Sequence, residues 1–245
     1  MVETKHQQAD IIFRDSGLLA VNKPAGIPVH GSKALEDEPP TLLSITRKTE
    51  GTPVHAIHRL DRPVSGVNLF TGDRELLMQM SRQFEQRLVQ KCYLAVVRGW
   101  PEEEGVISHP LLPPRDDRKA NSVTREAITR FVRLATVETP YPVAPYDTSR
   151  YSLLALYPET GRRHQLRMHM KHISHHLIGD TTYGRGEHNR LFREQFNCRR
   201  LLLHAWSLEI QHPLTAQPTQ IHAPLDESFR AILRAFSWEK ATELL

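Results

Sequence analysis

Short apolar runs recur along this chain, and most are separated by only a few turn-forming residues. Ile11-Ile12-Phe13 and Leu18-Leu19-Ala20-Val21 flank an Asp15-Ser16-Gly17 turn, which reads as two strands within 11–22. Val67-Asn68-Leu69-Phe70 and residues 91–99, 105–112, 123–138 and 151–157 continue the pattern, followed by 201–205, 207–212 and 219–222. Such short connections favour antiparallel neighbours, because parallel strands need a long crossover. Helices are fewer: 41–49, 73–89, 162–172, part of 185–200, and a closing helix carrying Leu225, Phe229, Ile232 and Phe236. The expected class is mixed α/β (α+β) with a largely antiparallel sheet.

The clearest helix is 73–89. Leu76, Met80, Phe84 and Leu88 recur every four residues with Leu77 beside them, while Arg74, Gln79, Arg82 and Gln86 face elsewhere. That stripe reads as core. Pro24, Gly26, Pro28 and Gly31 mark a fixed loop after the second strand. Residues 32–40 read as an exposed acidic loop, 113–121 as a surface excursion, and Tyr141 to Tyr146 as a second proline-rich loop.

No apolar run approaches the length of a membrane-spanning helix, and the first residues lack the apolar segment of a secretory signal. Cys92 and Cys198 are two thiols far apart in sequence, which fits a reducing compartment and excludes an all-cysteine zinc site. The expected location is the cytoplasm. The net charge is only +4, but residues 159–200 hold nine lysine and arginine side chains against four carboxylates, with six histidines among them. Arg163, Arg167 and Lys171 form a row at helical spacing there, where cations in a first turn oppose the macrodipole. A polyanion is the partner such a segment suits.

Residues 55–66, His-Ala-Ile-His-Arg-Leu-Asp-Arg-Pro-Val-Ser-Gly, place Asp61 between Arg59 and Arg62, on a loop entering a strand. Nearby positive charge favours a carboxylate's ionised form, which suits nucleophilic or electrostatic work rather than general acid catalysis. Taken alone, the same residues also fit a solvated Arg–Asp cluster worth little.

Four stretches together resemble the RluA-type pseudouridine synthases. They are Val21-Asn22-Lys23-Pro24-Ala25-Gly26; His58-Arg59-Leu60-Asp61-Arg62 with Ser65-Gly66; Gly161 to His169; and Ile178-Gly179-Asp180 through Tyr183-Gly184, with Leu203-His204-Ala205 closing the set. The resemblance spans about residues 11–236. It implies one catalytic domain over 11–238 with flanking helices and a central cleft, between a flexible N-terminus (1–10) and a tail (239–245). One position departs from the pattern: Val64 stands where the family carries Thr, which puts the loop's hydrogen bonding in question. With only residues 1–10 before the first strand, no S4 RNA-binding module is expected, and RNA contacts fall to the catalytic domain.

The reaction the resemblance implies detaches uracil from C1′ of the ribose, turns it and rejoins it through C5, with no metal or cofactor. Asp61 matches the catalytic aspartate, Arg167 the arginine that would pair with it, and Tyr93 the tyrosine that stacks on the base. Leu203 would form part of the opposite wall, and Arg59 would fill the space a flipped base vacates. Whether Asp61 attacks C1′, attacks C6 or assists a glycal route stays open at this level. Residues 134–138, the Tyr-rich loop before Ser149-Arg150-Tyr151, and His188-Asn189-Arg190 point to a branch acting on tRNA, at uridine 65, with an rRNA uridine as the alternative. The expected partner is tRNA, with no membrane and no obligatory protein partner, the enzyme being a monomer.

Two other classes compete. His164, His169, His172, His175 and His176 suggest a metal-dependent nuclease or hydrolase, but no His-Glu-x-x-His or Cys-x-x-Cys pattern accompanies them. A non-catalytic RNA-binding protein would leave Asp61 and its flanking arginines without a purpose.

Overall fold

The structure, a computed structural model, describes residues 8–15, 17–31, 40–114 and 122–245. Expectations for residues 1–7, for most of the acidic loop (32–39) and for the excursion at 115–121 lie outside the described residues. Strands β1 (Ile11–Asp15) and β2 (Leu18–Lys23) are followed by α1 (Leu42–Glu50), β3 (His55–Ala56), β4 (Ser65–Thr71) and α2 (Arg74–Glu85). Next come β5 (Gln90–Arg98), β6 (Glu104–Ser108), β7 (Ile128–Thr139) and β8 (Ser149–Pro158). Helices α3 (Gln165–His172) and α4 (Gly186–Gln195) lead to β9 (Leu203–Gln211), β10 (Pro218–His222), α5 (Glu227–Ala235) and a closing 3-10 turn (Glu239–Leu244). The class is α+β, as the strand-rich pattern requires.

The elements gather into two compact units, Met1–Gln90 with Ala205–Pro224, and Lys91–His204 with Leu225–Leu245. In the first, the strand order is β1-β2-β4-β9, with β3 also on β4 and β10 on β9. The β1–β2, β2–β4, β3–β4 and β9–β10 pairs are antiparallel. Alternation in β2 sends Leu18 and Ala20 to a layer with Val67, Leu69, Met80, Leu208 and Ile221. Leu19 and Val21 go to the other face, with Val29, Leu42, Val54 and Phe70. Both faces are covered, which is why β4 is buried at every position. At Gly66 (φ +114°) a Cβ would lie 2.2 Å from the carbonyl oxygen of Ala205, so only glycine lets these two backbones meet.

The second unit has strand order β5-β8-β7-β6, each pair antiparallel. Leu94 to Val97 of β5 and Leu153 to Leu156 of β8 are wholly buried. An aromatic cluster of Tyr151, Phe192, Phe196, Phe236 and Trp238 fastens α4 and the end of α5 to this sheet.

Several helix and strand boundaries differ from the sequence expectation; the strands expected at 105–112 and 123–138 are observed as Glu104–Ser108 and Ile128–Thr139. Helix α2 starts at its Asp73 cap, which accepts from the Glu75 and Leu76 amides at 2.7 and 3.1 Å, but ends at Glu85. Arg87 then turns left-handed (φ 62°), leaving Leu88 57% exposed rather than in the apolar stripe. Helix α3 begins at Gln165 instead of 162, because the preceding segment is tied to the Gln165 side chain. Finally, 201–205 and 207–212 are not two strands: β9 runs continuously from Leu203 to Gln211.

Candidate active site

In the first unit, the Asp61 loop begins where β3 pairs His55 with Thr71 and Ala56 with Phe70. His58 prolongs that ladder with its ring, Nε2 accepting from the Leu69 amide at 3.1 Å, while the imidazole stacks on Phe84 at 4.8 Å. Asn68 Nδ2 donates to the His58 carbonyl at 3.2 Å. The chain then turns. Val64 N–H donates to the Asp61 carbonyl at 3.0 Å, and the Leu60 and Val64 side chains are buried on either side. Asp61 itself is half-buried.

The turn is braced from behind by Lys23, which is 0% exposed. Its Nζ donates to the carbonyls of Pro24 (3.0 Å), Ile27 (2.7 Å) and Arg62 (3.1 Å). Gly26 N–H donates to the same Arg62 carbonyl at 2.8 Å, and Arg62 Nε returns a bond to the Gly26 carbonyl at 2.9 Å. The fixed Pro/Gly loop and the Asp61 loop are thus laced together. Arg62 is a staple between loops rather than a counter-charge for Asp61. Arg59 projects from the loop as an exposed side chain with no hydrogen bond or ion pair among the described residues. Of the two arginines flanking Asp61 in sequence, Arg62 is thus committed to the Gly26 carbonyl and Arg59 is exposed. Val64, the position lacking the expected hydroxyl, packs in the core, and the hydrogen bonding of the loop is supplied by Lys23 and Arg62 instead.

In the second unit, Tyr93 lies on β5 opposite Leu156 of β8 and is half-buried, and Leu203, at the start of β9, is buried. Arg167 on α3 is 4% exposed and makes a two-pronged contact with Asp180, Nε to Oδ2 at 2.7 Å and Nη2 to Oδ1 at 2.9 Å. Asp180 Oδ1 also accepts from the Thr182 and Tyr183 amides, both at 2.9 Å. Burial alone would raise the Asp180 carboxyl, but the Arg167 bonds and charge, with those amides, hold it below the ordinary carboxylate range. The Tyr183 ring lies under the Arg167 guanidinium at 5.0 Å, and its hydroxyl meets His164 Nδ1 at 2.9 Å. The Gly161–His169 and Ile178–Gly184 stretches therefore fold onto one another. Arg167 is an interior group, not a member of a solvated basic row. Two of its nitrogens, Nε and Nη2, hold Asp180.

Gln165 fixes the start of α3. Its Oε1 accepts from Thr160 Oγ1 (2.6 Å) and the Arg162 amide (3.0 Å), and its Nε2 donates to the Ile128 carbonyl (2.9 Å) and Thr129 Oγ1 (3.0 Å). Arg162 and Arg163 precede α3, and Arg167 stands in its first turn, which carries no acidic residue. The histidines are dispersed on structural bonds: His169 spans Thr129 Oγ1 and the His109 carbonyl, and His175 Nδ1 meets the Arg98 carbonyl. Among the described residues, no three His, Cys, Asp or Glu side chains are placed to share a metal ion.

Residues 17–172, which include the Asp61 turn, Tyr93 and Arg167, match the family described as RNA pseudouridylate synthase. The chain belongs to the RNA pseudouridylate synthase family. A tRNA pseudouridine synthase C of Vibrio cholerae is 41% identical over 95% of this chain and 97% of its own length. One from Haemophilus ducreyi is 45% identical over 94% and 97%. Among solved structures, Human RNA Pseudouridylate Synthase Domain Containing 4 matches with a TM-score of 0.68 at 26% identity, over 93% of this chain and 92% of that one. Human RNA Pseudouridylate Synthase Domain Containing 1 gives 0.70 at 22% identity over 97% and 98%, a likeness of fold. Within this pseudouridylate synthase, Lys23, Gln165 and Asp180 are the structural surprises. All three stood inside the motifs, but what they hold is visible only once the loops meet.

Proposed function

We propose that this chain isomerises a uridine of tRNA to pseudouridine, at uridine 65, with Asp61 supplying the nucleophilic carboxylate. The observation that carries the catalytic assignment is Asp61 itself, half-exposed on a turn whose backbone is braced by a buried ammonium. Preorganisation of this kind keeps a reacting group in place without reorganisation cost during the reaction. The choice of tRNA is supported by the names of the relatives that match along nearly the whole chain.

In this reading the C1′–N1 bond breaks and a C1′–C5 bond forms. The proton on C5 is lost to solvent and N1 gains one. Tyr93 offers the flat wall for the base, Leu203 an apolar wall, and Arg167 a donor to the acting carboxylate. Arg59, exposed and uncommitted, fills the gap left in a stem by the flipped nucleotide. The protein works as a cytoplasmic monomer; no helix among the described residues is long and apolar enough to cross a membrane.

Loss of the C5 proton gives the test. Tritium release from 5-tritiated uridine in bulk tRNA is expected from wild type and not from Asp61→Asn or Asp61→Ala, with melting temperature and tRNA affinity little changed. Equal release from mutant and wild type would remove Asp61 from the chemistry. Mapping pseudouridine in the reacted tRNA fixes the position.

A further inference from the structure

A cavity of about 660 Å³ lies within the second unit, where the end of β5, the start of β8, the segment after α3 and the first turn of α4 converge. Its lining includes Arg98, Trp100, Tyr146, Arg150, His175 and His188, and it contains no carboxylate. Arg98 ends β5 and Tyr93 stands five residues before it, paired with Tyr151 and Leu156 of β8 respectively. At about 3.3 Å per residue Arg98 is roughly 17 Å along the strand from Tyr93. None of the residues assigned to the isomerisation lines it.

Several groups there have binding capacity left over. The Arg98 guanidinium makes no hydrogen bond or ion pair among the described residues. His188 is 7% exposed and spends Nδ1 on the Tyr151 hydroxyl at 2.9 Å, leaving Nε2 for an occupant of the cavity. The Trp100 indole, 40% exposed, carries the Arg150 guanidinium over its ring at 4.3 Å and is anchored through Nε1 to the Val137 carbonyl. Tyr146 is 62% exposed, at a turn closed by reciprocal backbone bonds between Val143 and Tyr146. Arg150 is paired with Glu138 Oε2 at 3.2 Å, which leaves Arg98 as the lining guanidinium with no carboxylate on it among the described residues; such a cation selects an anion, and exposed aromatic faces select a planar group. A nucleotide offers both, and stacking platforms beside cations are how proteins hold unpaired nucleic acid.

We propose that this cavity is a second RNA contact, holding one unpaired nucleotide of the bound tRNA with its phosphate on Arg98 and its base against Tyr146 and Trp100. The proposal rests on tRNA being the substrate. It makes the cavity an affinity device, separate from the group that performs the chemistry.

The test measures bulk-tRNA affinity and tritium release separately, for wild type, Arg98→Gln and Tyr146→Ala, with circular dichroism melts to verify folding. Each substitution is expected to weaken tRNA binding roughly tenfold, as the loss of one stacked base or one phosphate contact does, with kcat at saturating tRNA unchanged. Arg98→Gln alone should lower the salt slope of binding by about one. Wild-type affinity in both folded variants overturns the proposal, including the case where inorganic phosphate still binds in an Arg98-dependent way. If wild type binds tRNA and the variants weaken it, but no tritium is released, the cavity stands and the isomerase reading falls.

Discussion

Arg167 Nε lies 2.7 Å from Asp180 Oδ2, and neither side chain is more than 4% exposed. An ion pair this deep is costly to break from one side, because the surviving charge stays buried without its partner. Asp180→Asn is expected to lose about 3–5 kcal/mol of stability, read from denaturant melts. Turnover should fall as well, since α3 and the 178–184 stretch are tied through this pair. A melt matching wild type would show that the pair is dispensable.

Lys23→Met keeps the length of the side chain while removing the ammonium from three carbonyls. Hydrogen bonds to a charged group contribute about 1.5–3 kcal/mol, so a stability loss of that order is expected. The larger effect should fall on turnover, by tenfold or more, because Asp61 sits on the turn that Lys23 braces and small misplacements are costly in catalysis. A kcat equal to wild type would separate the brace from the chemistry.

Two glycines give expectations of different size for the same substitution. Gly66→Ala drives a Cβ into the Ala205 backbone and should prevent soluble folding or cost several kcal/mol. Gly26→Ala meets nothing within 4 Å and bears only the strain of its φ of +92°, about 1–2 kcal/mol. Comparable melts for the two variants would count against the backbone-contact argument.

Acid should weaken the fold in a defined window. Burial, followed by the Arg98 charge, pushes the His188 imidazole down to about 4 from 6.5. Between those values the unfolded chain binds a proton that the folded chain refuses, so stability rises with pH there. The contribution is complete above about pH 6.5, is lost as pH falls toward 4, and is on the order of 3 kcal/mol. His169, His175 and His176 are lowered too, each chiefly by burial. Melting temperature should drop between pH 7 and pH 5, and His188→Gln should flatten that dependence.

Tyr93→Phe is expected to retain most activity and Tyr93→Ala to lose kcat far more than tRNA affinity, because the ring face rather than the hydroxyl forms the wall. A loss confined to affinity would move Tyr93 away from the reacting base.

Much of the fold was legible because strand alternation and short turns are local signals: β1, β2, β4, β5, β8 and β10 all fall where their apolar runs stand. The misses have local causes that only tertiary structure supplies. Leu88 kept the helical spacing of Leu76 and Met80, but no spacing rule announces the left-handed turn at Arg87. At the site, the Asp61 motif was readable as a unit, whereas the direction of each guanidinium was not. Arg62 faces the Gly26 carbonyl because Lys23 brings that loop alongside, and Arg167 is internal because Asp180, thirteen residues on, folds back over it. Val64 looked like a defect in a hydrogen-bonded loop; its burial beside Leu60 shows an apolar anchor instead.

The seclusion of Lys23 has a practical use. An amine with no solvent exposure resists acylating reagents until the loops around it part, so the rate at which Lys23 is labelled reports opening of the Asp61 turn. Peptide mapping after timed exposure to such a reagent, with and without RNA, would track the motion of the acting carboxylate's support without altering Asp61 itself.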